Sequence, residues 1–167
     1  MAEQTPRRIK IACPGCGQKL DVSEMLSCNT HENSNELITA RAITYIKEAN
    51  PDFVFLYLAD TDNTGHSHGW LSPEYMQDTH DALACVQEVY EKLPDGYTMI
   101  FLADHGGHDR THGTEMPEDM TIPLFFCGPR FEEGKVLPEA SIKDVATTVV
   151  KLMNIEPQPE WEGTAWV

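Results

Sequence analysis

Residues 50–70 read NPDFVFLYLADTDNTGHSHGW, and the reading of this stretch decides the fold. Phe53 to Ala59 form a short continuous apolar run with β-branched and aromatic members, the pattern of a strand buried on both faces. Pro51 stands just before it, where a helix has stopped, and the chain turns abruptly polar at Asp60. Upstream, Asn35 to Ala49 carries Ile38, Ala42, Tyr45, Ile46 and Ala49 at helical spacing. Downstream, Ser72 and Pro73 make an N-cap and first-turn pair for a helix running to about Leu93. Its apolar face reads Leu83, Val86, Tyr90 and Leu93, with Ala82 and Val89 alongside, and Pro94-Asp95-Gly96 ends it in a turn.

The same pattern repeats. YTMIFLA (97–103) and IPLFFC (122–127) read as two more buried strands. Ser141 and Asp144 have capping-box spacing, with Asp in place of Glu, ahead of Ile142, Val145, Ala146, Val149, Val150 and Met153 at a helical period. Alternating strands and helices predict an α/β fold with a mostly parallel sheet and flanking helices. Helix-to-strand links are short, whereas the strand-to-helix links at 60–72 and 104–121 are long and rich in Asp, His and Gly. Ligands of open α/β sheets sit beyond the carboxyl ends of the strands, so function is expected in these two loops.

Five of the seven histidines fall there. In the first loop Asp62 and His66 are four apart across a glycine, so one turn can aim a carboxylate oxygen and an imidazole at a common point. The second loop opens with Asp104 and His105 and continues through His108 and His112 on a glycine-loosened segment. Mixed oxygen and nitrogen donors suit Zn²⁺, Mn²⁺ or Fe²⁺. A lone loop Asp or His is most often a solvated polar residue; two Asp-and-His clusters, each directly after a buried strand, point jointly to a metal site. Trp70 and Tyr75 read as packing residues before pocket lining.

These residues carry a resemblance. YLADTDNTGHSHGW is similar to the D-x-x-G-H metal loop of the alkaline phosphatase superfamily, in its type I phosphodiesterase/nucleotide pyrophosphatase and sulfatase-like branches. ADHGGHDRTHGT resembles that superfamily's Asp-His-Gly loop and downstream His-Gly, and residues 120–166 resemble its C-terminal segment. The resemblance implies two divalent metals, Zn or Mn: Asp62, His66 and His112 on one, Asp104 and His105 on the other. His108 competes with His112, which is preferred because Gly113 follows it; His68 matches no ligand. The implied activity is metal-dependent hydrolysis of phosphate esters, as a phosphodiesterase or phosphatase, with sulfate esters as a further substrate class. The superfamily's early strand ending in Asp and its nucleophile-bearing helix find no match before residue 50, and the sulfatase C-x-P-x-R string is absent. The fold is therefore expected to lack its N-terminal half. The alternative function is a catalytically inactive metal- or phosphate-binding relic or regulatory module.

The first 33 residues differ in composition and are set apart from 34–167 as a cysteine-containing segment. Cys13-x2-Cys16 within CPGCG resembles a zinc-ribbon knuckle, and Cys28-x2-His31 completes a candidate structural zinc site, weighed evenly against reduced thiols. No β-hairpin is evident between the pairs. Cys85 and Cys127 read as small buried hydrophobes.

The 167 residues suit one domain, or one with a small appendage. Twenty-seven acids against twelve bases give a net charge of −15, which disfavours nucleic-acid binding through a basic face. No apolar run is long enough to span a membrane, no secretory signal is expected, and five cysteines without a disulfide pattern suggest the cytosol. Expected partners are the ester substrate and either a second copy or a complementing chain.

Overall fold

The computed structural model describes residues 7–12, 19–26 and 34–167. Its elements run β1 (Arg7–Ala12), β2 (Lys19–Leu26), α1 (Asn35–Ala49), β3 (Phe53–Tyr57), α2 (Asp60–His68), α3 (Pro73–Lys92), β4 (Met99–Leu102), α4 (Pro117–Met120), β5 (Leu124–Cys127) and α5 (Lys143–Leu152). The chain divides into two compact units: Met1–Pro94 with Gly107–Gly113, and Asp95–Gly106 with Thr114–Val167.

In the first unit β1 pairs antiparallel with β2, and β2 parallel with β3, with Val22 beside Phe53 and Leu26 beside Tyr57. The β2–α1–β3 segment is thus a strand-helix-strand crossover, the connection a parallel pair requires. Between the two pairs Cys13/Cys16 and Cys28/His31 the described chain holds the single strand β2, and its antiparallel partner β1 precedes Cys13. Arg, Lys, Asp and Glu interrupt both strands and hide their periodicity. The capping of α1 follows its sequence: the Ser34 hydroxyl accepts from Leu37 N at 3.4 Å, and Asn50 closes the helix at φ 43°. One face of α1 buries Ile38, Ala42, Ile43 and Ile46, and Leu56, Leu58 and Tyr45 pack on its Ile38–Ala42 cluster. Burying this face stabilises the unit by about 25 cal/mol per Å² of apolar surface removed from water. Phe55 keeps 46% exposure, so among the described residues β3 is covered on one face rather than both.

α3 begins as its sequence dictates, with Tyr75 N donating to the Ser72 hydroxyl at 3.2 Å and Pro73 in the first turn. It buries Cys85 and Val89, one helical turn apart, while Leu83 and Tyr90 of the expected apolar face stay half-exposed. The i, i+4 pair turned toward α1 sets the rotation of the helix, not the longer stripe.

In the second unit β4 and β5 pair antiparallel, Met99 beside Cys127 and Leu102 beside Leu124. The α/β class with flanking helices holds, but the strand directions are mixed rather than mostly parallel: one described pair is parallel and two are antiparallel. Between β4 and β5 lies only the four-residue α4, so no crossover helix carries the chain back to start a parallel neighbour. Of the described residues, no helix is long and apolar enough to cross a membrane.

Candidate metal centre

The segment after β3, expected as a loop, is the helix α2. Its composition is poor in helix formers, and local bonds support it. Asn63 Nδ2 donates to the Ala59 carbonyl at 3.1 Å, and the Ser67 hydroxyl to the Asn63 carbonyl at 2.8 Å. Asp60 and Asp62 occupy the first turn, where the helix dipole favours negative charge, and His66 and His68 the last. The helical form has a consequence for the site: Asp62 and His66, four apart, lie one above the other on a single face.

His112 arrives from the Gly107–Gly113 segment of the same unit. One ligand atom from each of Asp62, His66 and His112 can be chosen so that all three lie within 4.8 Å of one another. Both His66 Nε2 and His112 Nε2 stand 3.6 Å from Asp62 Oδ1. Ligand bonds of about 2.0–2.2 Å would put neighbouring donors of a tetrahedral ion roughly 3.4 Å apart, so this spacing fits one cation. The other ring nitrogen of His66, Nδ1, lies 3.0 Å from the Arg110 carbonyl. A carbonyl can only accept, so in the neutral ring Nδ1 carries the proton and Nε2 keeps its lone pair toward Asp62, the arrangement typical of a metal-ligating imidazole. The donor set fits a divalent cation of the zinc or manganese kind.

The segment carrying His112 is held in place. Trp70 N donates to the Asp109 carbonyl at 2.7 Å, and His108 and Thr111 exchange backbone bonds at 3.0 and 2.9 Å. His112, not His108, joins the cluster. His68 points elsewhere, its Nδ1 4.0 Å from Glu74 Oε1. Asp60, two residues before Asp62, accepts from Asn35 N at 3.2 Å and so ties α2 to the start of α1. Burial pushes the Asp60 carboxyl above its ordinary value, against the Asn35 bond, and the charges of Asp78 and Glu36 push the same way.

Asp104 and His105 belong to the second unit. His105 Nε2 lies 3.7 Å from Asp104 Oδ1, while its Nδ1 sits 2.8 Å from the Gly106 carbonyl. This is again a ring whose Nε2 is left to face a carboxylate. Gly106 N donates to the Asp119 carbonyl at 2.7 Å, and a Cβ at Gly106 would come within 1.9 Å of the Glu118 carbonyl oxygen, so only glycine fits there. Asp119 is buried and accepts from both the backbone N and the hydroxyl of Thr114, at 2.8 and 2.7 Å. Cys13, Cys16, Cys28 and His31 lie outside the described residues. Cys85 is buried, and burial raises its thiol pKa.

Sequence reasoning missed the Arg110 carbonyl, and it read Trp70 as a packing residue without showing that the rings it packs on are those of His66 and His112. Backbone acceptors leave no mark in a sequence, and the ring's importance becomes visible only when the two segments meet.

A mixed strand-and-helix scaffold that brings one carboxylate and two imidazoles together beyond β3 is the kind of site that α/β metalloproteins carry. A family profile described as the metalloenzyme superfamily matches residues 21–157, and the chain belongs to that alkaline-phosphatase-like superfamily. Among its relatives is the 2,3-bisphosphoglycerate-independent phosphoglycerate mutase of Clostridioides difficile, 26% identical over 133 residues, covering 75% of this chain and 26% of the mutase. The phosphopentomutase of Alkaliphilus metalliredigens is 26% identical over 117 residues, covering 70% of this chain and 30% of that protein. GPI ethanolamine phosphate transferase 1 of Chaetomium globosum is 35% identical over 95 residues, covering 50% of this chain and 10% of the transferase. The chain thus spans less than a third of the length of each. Their names are those of mutases and a transferase, not of the phosphodiesterase or sulfatase branches that the motifs suggested.

Proposed function

We propose that this chain holds the divalent-metal centre of an enzyme that cleaves or transfers phosphate esters. Asp62, His66 and His112 hold one cation, zinc before manganese, and Asp104 and His105 contribute to a second. The observation that carries this reading is the convergence of three donor atoms from two separate segments within 4.8 Å. When bound, such a cation polarises a phosphoryl oxygen and lowers the pKa of a bound water. One carboxylate and two neutral imidazoles leave a divalent ion with about one net positive charge, which favours an anionic phosphate at the open position. His66 and His112 keep side-chain exposures of 47% and 29%, so the donors are reachable from solvent. The relatives' names, each with a phosphorylated compound in it, support phosphate over sulfate. Hydrolysis by a phosphodiesterase- or phosphatase-type reaction is the proposed form, and the reducing cytosol the proposed compartment, in keeping with the free thiols of Cys85 and Cys127.

The test is elemental analysis of the purified chain and of a His66→Ala/His112→Ala variant, with an assay on an activated aryl phosphate. Wild type should retain bound transition metal and the double variant should lose most of it. Weak, EDTA-sensitive turnover is expected. Metal retention with no turnover favours a metal-binding relic; unchanged metal content in the double variant refutes the assignment.

A further inference from the structure

Trp70 is surrounded in a way that its sequence position does not require. Its ring centroid lies 5.2 Å from that of His66, edge-on at 89°, and 5.8 Å from that of His112 at 67°. The two imidazoles are themselves 5.0 Å apart, and Tyr75 backs the indole at 5.9 Å. A Cβ on Gly65 would come within 2.8 Å of three indole atoms, and one on Gly107 within 2.2 Å of the ring. The indole therefore occupies a slot that exists only because both walls are glycine, one on α2 and one on the segment that brings His112. The backbone on either side departs from ordinary conformations. Gly69 has φ 102° and Leu71, a γ-branched residue, has φ 65°, while Asp109, whose carbonyl accepts from Trp70 N, has φ 46°. Left-handed backbone at non-glycine residues is unfavourable and persists where the surroundings over-determine it.

We propose that Trp70 is the positioning residue of this centre, fixing the planes of His66 and His112 and joining the helix that carries two donors to the segment that carries the third. The proposal rests on the reading of Asp62, His66 and His112 as the donor set. Without the indole, the rings of His66 and His112 would lose the wall that packs against both, and part of their ordering would fall to the binding of the cation. That ordering subtracts from affinity, as loss of the groups that orient metal ligands does.

The test is titration of the full chain with Co²⁺, followed by ligand-field absorption, with far-ultraviolet circular dichroism as the check on folding. Trp70→Leu should bind Co²⁺ about 10- to 100-fold more weakly, with an altered absorption band, while keeping wild-type helix content. Trp70→Phe, which keeps an aromatic ring in the slot, should stay close to wild type in both affinity and spectrum. Gly65→Ala leaves every donor and the indole chemically intact but pushes the ring out of place, so it should behave like Trp70→Leu; it decides the matter if Trp70→Leu does not fold. Wild-type affinity and spectrum in folded Trp70→Leu or Gly65→Ala would overturn the positioning role. A wild-type chain that binds no Co²⁺, or a His112→Ala variant that binds it unchanged, would instead overturn the donor assignment beneath it.

Discussion

Asp144 lies buried at the start of α5, 4% exposed, and accepts from three donors. These are Ser141 N at 2.8 Å, Trp166 Nε1 at 2.8 Å and Thr164 N at 2.7 Å. The first bond is the one a capping-box spacing of Ser141 and Asp144 predicts, but the N-cap of α5 is Ile142, which makes no side-chain capping bond, so the box is not complete; the other two fasten the C-terminal residues to the helix. Thr148 adds a bond from Trp166 N at 3.2 Å, and a Cβ at Gly163 would meet the Lys143 carbonyl at 2.1 Å, so that glycine admits the close approach. Burial works against the charge of Asp144, but the bonds from Ser141, Trp166 and Thr164 outweigh it and hold the carboxyl below its ordinary value of 3.8. The sign follows. A lowered folded-state pKa contributes stability that is present above the ordinary value and lost as pH falls through the lower, folded one. Stability of this unit should therefore fall on acidification below the ordinary carboxylate range, and Asp144→Asn should weaken that dependence. The substitution should also cost about 2–3 kcal/mol in chemical denaturation, because a buried set of charge-assisted bonds is broken. A flat pH profile in wild type would count against the clamp.

At the scale of elements, Ser72 offers the simplest check. Ser72→Ala should lower stability by about 1 kcal/mol, since Tyr75 N loses its hydroxyl partner. That helix was legible because cap, first-turn proline and apolar spacing all agree; α1 was legible from its apolar spacing and the Pro51 beyond its end, and β3 from its continuous apolar run. α2 was not. Asp, Thr, Asn, Gly and Ser fill it, its N-cap Ala59 makes no side-chain capping bond, and it reads as a loop in isolation. Its form rests on side-chain-to-carbonyl bonds and on the packing of Gly65 against Trp70. β1 and β2 were hidden for a different reason: alternating charges on short strands carry little apolar signal, and their pairing is a long-range property. The site was more legible than the elements that hold it. Asp62 and His66 at i, i+4 converge in a turn or in a helix, so the spacing survives the wrong assignment. The preference for His112 over His108 came from family resemblance alone; the segment's geometry is what brings His112 Nε2 to Asp62. The direction of β4 against β5 had no local signature at all.

The molecule as a whole sets a net charge of −15 against exposed apolar residues, among them Phe55 at 46% and Phe125 at 55%. Like-charge repulsion keeps copies apart at low ionic strength and is screened beyond about 8 Å near 0.15 M salt. Self-association should therefore increase from low to physiological salt in sedimentation velocity, and a Phe125→Ser variant should associate less. A monomer at every salt concentration would show that these residues do not drive association. The central claim concerns the three donors of the first unit, and the zinc-loaded crystal answers it most directly through anomalous scattering at the zinc edge. A peak bonded to Asp62 and to Nε2 of both His66 and His112, at about 2.0–2.2 Å from each, is the predicted result. Zinc bound elsewhere, with those three side chains uncoordinated, would contradict it.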